Sequence, residues 1–145
     1  MTEKIVSNNV IIAIIINHEY FNSGITFFTR NDDTQQLAYM NHPKGKKIKP
    51  HIHNIIKREI LFTKEIIFIK SGKIRIDFFT DEKKYICSRV LETGDIILLS
   101  SGGHGFEMLE DTEMFEIKQG PYAGESDKTR FEGINFDVFS VSNAK

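Results

Sequence analysis

Glu65-Ile66-Ile67-Phe68-Ile69-Lys70-Ser71-Gly72, followed directly by Lys73-Ile74-Arg75-Ile76-Asp77-Phe78-Phe79-Thr80, sets the fold class. Each half is a short apolar run rich in β-branched and aromatic residues, and the Ser71-Gly72 between them is turn chemistry. Two strands are therefore predicted, Glu65 to Lys70 and Lys73 to Thr80. Residues two apart on a strand project to the same side, so Ile67 and Ile69 share a face with Glu65 and are expected to carry it inward.

The same grammar recurs on both sides of this stretch. Further strands are predicted at Val10 to Asn17, Ile25 to Thr29, Gln36 to Asn41, Ile48 to His53, Lys84 to Leu91, Asp95 to Leu99, Gly105 to Leu109 and Met114 to Gln119. Ser71-Gly72, Asp81-Glu82, Thr93-Gly94 and Glu110-Asp111 are short breaks of the hairpin kind, so adjacent strands are expected to pair. No segment holds the i, i+3, i+4, i+7 apolar period of a helix. The reading is all-β, with a sandwich, jelly roll or barrel as the ways to bury one face and manage the edges. At 145 residues, the chain is sized for a single domain, 1–145.

Composition narrows the partners. The formal net charge is -1 with both signs interspersed, which announces neither nucleic acid nor a membrane surface. A small-molecule substrate or a second copy of the chain is expected. Cys87 is the single cysteine, which excludes an internal disulfide framework and suits a reducing, cytoplasmic compartment. Val10 to Ile16 is apolar throughout but far shorter than the ~20 residues of a membrane-spanning helix. Met1 to Asn9 is polar and lacks the order of a secretory signal.

Three histidines and a carboxylate carry the candidate chemistry. His51 and His53, two apart on a predicted strand, aim both imidazoles at one interior spot, an arrangement that suits a metal but needs further ligands. Glu65 would be a buried carboxylate, which must be protonated, ion-paired or bound to a cation. His104 follows Gly102-Gly103 at the entry to another strand, where the glycines allow close backbone approach. His18 and His42 sit beside Asn and near loop signals and read as solvated, and Cys87 reads as a packed hydrophobe.

Gly45, His51, His53, Glu65 and Gly72 together resemble the first motif of the cupin superfamily, and Gly94-Asp95 through His104 resembles the second. The resemblance implies a double-stranded β-helix, the jelly-roll barrel of the cupin type. It also implies one divalent metal ion, Zn, Mn, Fe or Ni, held by His51, His53, Glu65 and His104. Eleven residues, Asn54 to Lys64, separate His53 from Glu65, a longer gap than is usual in cupins. Glu59 lies nearer the usual count, but Glu65 keeps the interval to Gly72 and directly precedes a strand. Ser100 stands where proline is common, and His104 follows Gly102 one residue early.

Glu116-Ile117-Lys118-Gln119-Gly120-Pro121-Tyr122 is similar to segments of small cupins from bacterial surface-polysaccharide pathways. That resemblance implies carbohydrate biosynthesis: a metal-dependent enzyme acting on a sugar or nucleotide sugar by isomerisation or epimerisation. The alternatives are a non-catalytic cupin that binds metal or a small ligand, and a metal-dependent dioxygenase. Met114, Glu116 and Lys118 share one strand face; if it points inward, Glu116 is placed as general base, Lys118 as a cation for an anionic or carbonyl oxygen, and Tyr122 at the barrel mouth. A homodimer is expected, because Val10 to Ile16 is apolar on both faces and Ile66 and Phe68 lie on the outer side of the Glu65 strand. The segment 120–145 is expected to wrap the barrel or a partner subunit, with Phe136 to Val141 strand-like.

Overall fold

The structure is a computed structural model, and it describes residues 1–134. Among the described residues there are ten strands: β1 (Thr2–Ser7), β2 (Val10–Ile16), β3 (Gly24–Phe27), β4 (Ala38–Asn41), β5 (Glu65–Ser71), β6 (Lys73–Phe79), β7 (Tyr85–Glu92), β8 (Ile96–Leu99), β9 (Gly103–Met108) and β10 (Glu113–Lys118). They form a five-stranded sheet in the order β1-β2-β8-β5-β10, a three-stranded sheet β7-β6-β9 and a two-stranded ribbon β3-β4, all antiparallel. The fold is all-β and sandwich-like.

Between the two larger sheets lies the main core. Ile5, Ala13, Ile15, Ile67, Ile69, Ile97 and Leu99 come from one sheet, and Ile74, Ile76, Phe78 and Leu91 from the other. Strict alternation on β6 puts Ile74, Ile76 and Phe78 inside, each fully buried, while Arg75 and Asp77 take the outer face. There Asp77 accepts hydrogen bonds from Arg75 and Ser88, which satisfies a carboxylate that is only 8% exposed.

Three of the four short breaks do not close hairpins. Only Asp81-Glu82 joins paired neighbours, β6 and β7. Ser71-Gly72, Thr93-Gly94 and Glu110-Asp111 instead lead from one sheet of the sandwich to the other: β5 pairs with β8 and β10, never with β6. Gly72 has φ of 92°, and a Cβ there would run into the backbone of Asp111 and Thr112, so two corners pass each other where only glycine fits. A tight corner and a tight hairpin use the same residues; the pairing partner is decided by which faces must be buried together.

The second face of β2 is covered from within the chain. Ile14, Ile16 and Leu98 pack with Leu37, Tyr20 and Phe28, so the β3–β4 ribbon and its flanks supply the cover that the sequence reading assigned to a second copy. β1, absent from the sequence reading, is a rim strand that buries only Ile5 and ties Glu3 to Arg89 at 2.6 Å. Its turn is Asn8-Asn9, both at positive φ, the backbone that two-residue hairpin loops demand.

The predicted strand Ile48 to His53 does not form. Residues 42–64 carry no strand or helix, and Ile48, Ile52, Ile55, Ile56, Leu61 and Phe62 are all exposed. Pro43 and Pro50 withhold two backbone donors here, and no strand lies alongside to accept the rest. Phe136 to Val141 lies outside the described residues.

Candidate functional site

Glu65 opens β5 in register with Leu99 of β8 and Lys118 of β10, so neighbours on both sides fix its backbone. It shares the inward face with Ile67 and Ile69, and its side chain is 14% exposed. His104 lies on β9 opposite Phe78, a core residue of β6, which turns the imidazole toward the same interior. The two side chains meet across the gap between the sheets, with His104 Nε2 3.2 Å from Glu65 Oε2. Two of the four residues assigned to the metal, Glu65 and His104, are thus brought together from opposite layers.

The His104 hydrogen bond holds the Glu65 carboxyl below its ordinary value, outweighing burial, which pushes the other way; charges at His104, Lys118 and Lys128 add to the lowering. A carboxyl whose pKa is depressed on folding stabilises the fold above its unfolded value of about 4.5, and that stability is lost as the pH falls through the lower folded pKa. Glu65→Gln is therefore expected to shrink the difference in unfolding free energy between pH 6 and pH 3, measured by urea titration. An unchanged difference would show that the pair contributes nothing to acid stability.

A cavity of about 470 Å³ opens over this pair. Thr63, Glu65, Phe79 and His104 form one part of its wall, and residues 127–131 cross the other. That strap is seated at both ends. Thr63 Oγ1 donates to Asp127 Oδ1 at 3.1 Å, and Phe131 packs edge-on against Phe79 with centroids 5.1 Å apart. A Cβ on Gly103 would stand 3.0 Å from the Phe131 ring, so the missing side chain is what admits it. Lys83 Nζ lies 5.8 Å from the same ring.

Comparison with protein-family models, with curated proteins and with solved structures finds no match to this chain.

His51 and His53 stack edge-on on the exposed 42–64 segment with centroids 5.3 Å apart, and His51 Nδ1 lies 3.1 Å from the Lys49 carbonyl. Neither lines the cavity, and among the described residues no three His, Cys, Asp or Glu side chains are grouped to hold a metal ion. Glu59 is exposed on the same segment. On β10, Glu116 pairs in register with Ile67 and Lys118 with Glu65, so the charged face is the inward one. Because β10 is a rim strand, the two side chains remain accessible and bond each other at 2.9 Å. That bond holds the Lys118 ammonium above its ordinary pKa. Tyr122 is 74% exposed, with Lys118 Nζ 6.0 Å from its ring centroid, and does not line the cavity.

Sequence reasoning missed Thr63, Phe79 and the strap residues Asp127, Lys128, Arg130 and Phe131. For Phe131 a signal existed: a lone aromatic in a polar tract needs an apolar seat, and Gly102-Gly103 offered an unfilled one.

Proposed function

We propose that the protein is a metal-dependent enzyme of the cupin type acting on a small polar substrate, a sugar or nucleotide sugar, by isomerisation or epimerisation. The observation that carries this reading is the Glu65–His104 pair at the wall of a cavity, one donor from each of the two motif-like segments. Carboxylate and imidazole are a donor set for a divalent ion, but two donors make an incomplete site. The remaining donors are His51 and His53. β9 is a rim strand whose outer edge has no partner among the described residues, and its inward face bears His104, Phe106 and Met108. Ile48 to His53, added along that edge, would bring both imidazoles beside His104, shelter exposed apolar side chains and extend the smaller sheet to the four strands of a jelly roll.

In this reading Glu65, His104, His51 and His53 would hold the ion, whose Lewis acidity would polarise a carbonyl or hydroxyl of the substrate. Glu116 takes the proton, and Lys118, kept charged by Glu116, steadies the oxygen that gains negative charge. Metal analysis of protein purified without an affinity tag is expected to find up to one divalent ion per chain. Activity on sugar nucleotides is expected to be the same in air and under anaerobic conditions. Absence of metal sinks the reading, and stoichiometric oxygen consumption replaces it with a dioxygenase.

The same reading includes a homodimer. Phe115 and Ile117 on the outer face of β10 are 58% and 57% exposed, and Phe115 stacks on Phe68 at 6.3 Å. An apolar stripe on a rim strand whose outer edge has no partner among the described residues favours association. Sedimentation at micromolar concentration is expected to give the mass of two chains; the mass of one chain would contradict it.

A further inference from the structure

The geometry points to an anion subsite on the strap, in which Lys128 and Arg130 grip a phosphoryl group of the substrate above Glu65 and His104. The inference rests on reading the cavity as a substrate site. It deepens that reading by naming what the outer half of the cavity recognises.

The backbone at Lys128 is extended, with φ of -148° and ψ of 151°. Residues 128 and 130 are therefore expected to stand about 6.5–7 Å apart along the strap, close enough for two long side chains to converge on one ligand group. Both residues line the cavity and both are exposed. The acidic residues on the same wall are already engaged: Asp127 accepts from Thr63, and Glu65 pairs with His104. The strap therefore presents two side-chain cations, Lys128 and Arg130, at the cavity wall.

Arg130 holds Glu125 at 2.6 Å, but the two side chains are 70% and 77% exposed, and such solvated pairs contribute little. A phosphoryl group offers the guanidinium a two-pronged, charge-assisted contact that can displace the Glu125 carboxylate, while Lys128 supplies a point charge. The strap is held for this task by its own anchors, Asp127 on Thr63 and Phe131 on Phe79, so ligand binding need not order a loose chain.

The probe is inorganic pyrophosphate, titrated calorimetrically into the full chain, both as purified and after removal of metal with a chelator. Wild-type protein is expected to bind in both states, and more tightly than it binds malonate, a dicarboxylate of similar span. The Lys128→Gln/Arg130→Gln variant is expected to bind at least roughly tenfold more weakly, about 1.4 kcal/mol, with an unchanged thermal midpoint. A Lys46→Gln/Lys47→Gln control is expected to stay within about twofold, ~0.4 kcal/mol. Equal affinity in the strap variant, a preference for malonate, or no pyrophosphate binding by wild type would each overturn the subsite. Metal content of the same samples reads the proposed function separately. Metal without pyrophosphate binding removes the subsite alone, and binding by a chain that never carries metal removes the enzyme reading and leaves the subsite standing.

Discussion

Asp95→Ala is expected to lower the free energy of unfolding by about 3 kcal/mol, from the loss of several part-buried hydrogen bonds to one carboxylate. Asp95 is 3% exposed and accepts backbone hydrogen bonds from His18 at 2.8 Å and from Glu92 at 3.0 Å, together with side-chain contacts from Asn17 and His18. Alanine removes every acceptor at once. Against a typical total of 5–15 kcal/mol, that is a large share. The site is a corner: Gly94, at φ of 91°, has no room for a Cβ because His18 packs against it, and the chain turns there from β7 into β8. Since β8 lies between β2 and β5, loosening the corner also loosens the strand that positions Glu65. Asp95→Asn keeps one acceptor oxygen but points an amide donor at the Glu92 N–H or the His18 N–H, and is expected to lose about 1–1.5 kcal/mol. Urea unfolding of the three proteins checks the ranking. A loss under about 1 kcal/mol for alanine would show that the corner holds itself without the carboxylate.

That corner also shows what a single sequence reveals and what it withholds. Gly94-Asp95 is visible as a turn, and so is Ser71-Gly72, because positive φ and local side-chain hydrogen bonds are properties of a few neighbouring residues. Whether the strands on either side of a turn pair is not a local property. It depends on which apolar faces are buried together, and here Ile67 and Ile69 must face Ile74, Ile76 and Phe78 across the sandwich, so β5 and β6 stack instead of pairing. The alternation of β6 is visible in the sequence from Ile74 to Phe78, but the burial of Phe79 beyond it is not. Nor is β1, because a rim strand that buries one side chain needs little apolar signal.

The candidate site divides along the same line. Glu65 and His104 sit on strands whose inward faces are dictated by alternation, Glu65 with Ile67 and His104 opposite Phe78, and their side chains touch. His51 and His53 were assigned a common face from their spacing alone, and spacing gives direction only once a strand exists. With Pro50 beside them, lysines at 46, 47 and 49 and no ladder alongside, residues 42–64 lack the local signals that held the other strands. The cationic strap was illegible for another reason: Lys128 and Arg130 become a pair above Glu65 only after Phe131 has found its seat on Gly103 and Phe79.

His51→Ala/His53→Ala is expected to cut bound metal by at least roughly tenfold at limiting metal concentration, ~1.4 kcal/mol, with the fold intact. Both side chains are exposed and bury no core surface, so their loss should leave the sandwich unchanged. The effect on metal should be large because chelation is cooperative. Glu65 and His104 alone offer two donors, and a divalent ion held by two donors exchanges readily with water. Glu65→Ala and His104→Ala are expected to match the double variant in metal loss, whereas Glu59→Ala should lie close to wild type; the opposite ranking of Glu59 and Glu65 would move the carboxylate ligand into the 42–64 segment. Amide hydrogen exchange supplies a reading that ligand loss alone does not give. If Ile48 to His53 adds to the edge of β9, metal should slow exchange at His51, Ile52 and His53 and at the outer-edge amides of β9 together, because one new ladder protects both strands. The double variant should show neither change. Metal retained at the wild-type level by the double variant, or metal bound with residues 48–53 as unprotected as before, would mean that the two histidines are solvated side chains and that the ion, if there is one, is held by Glu65, His104 and the strap.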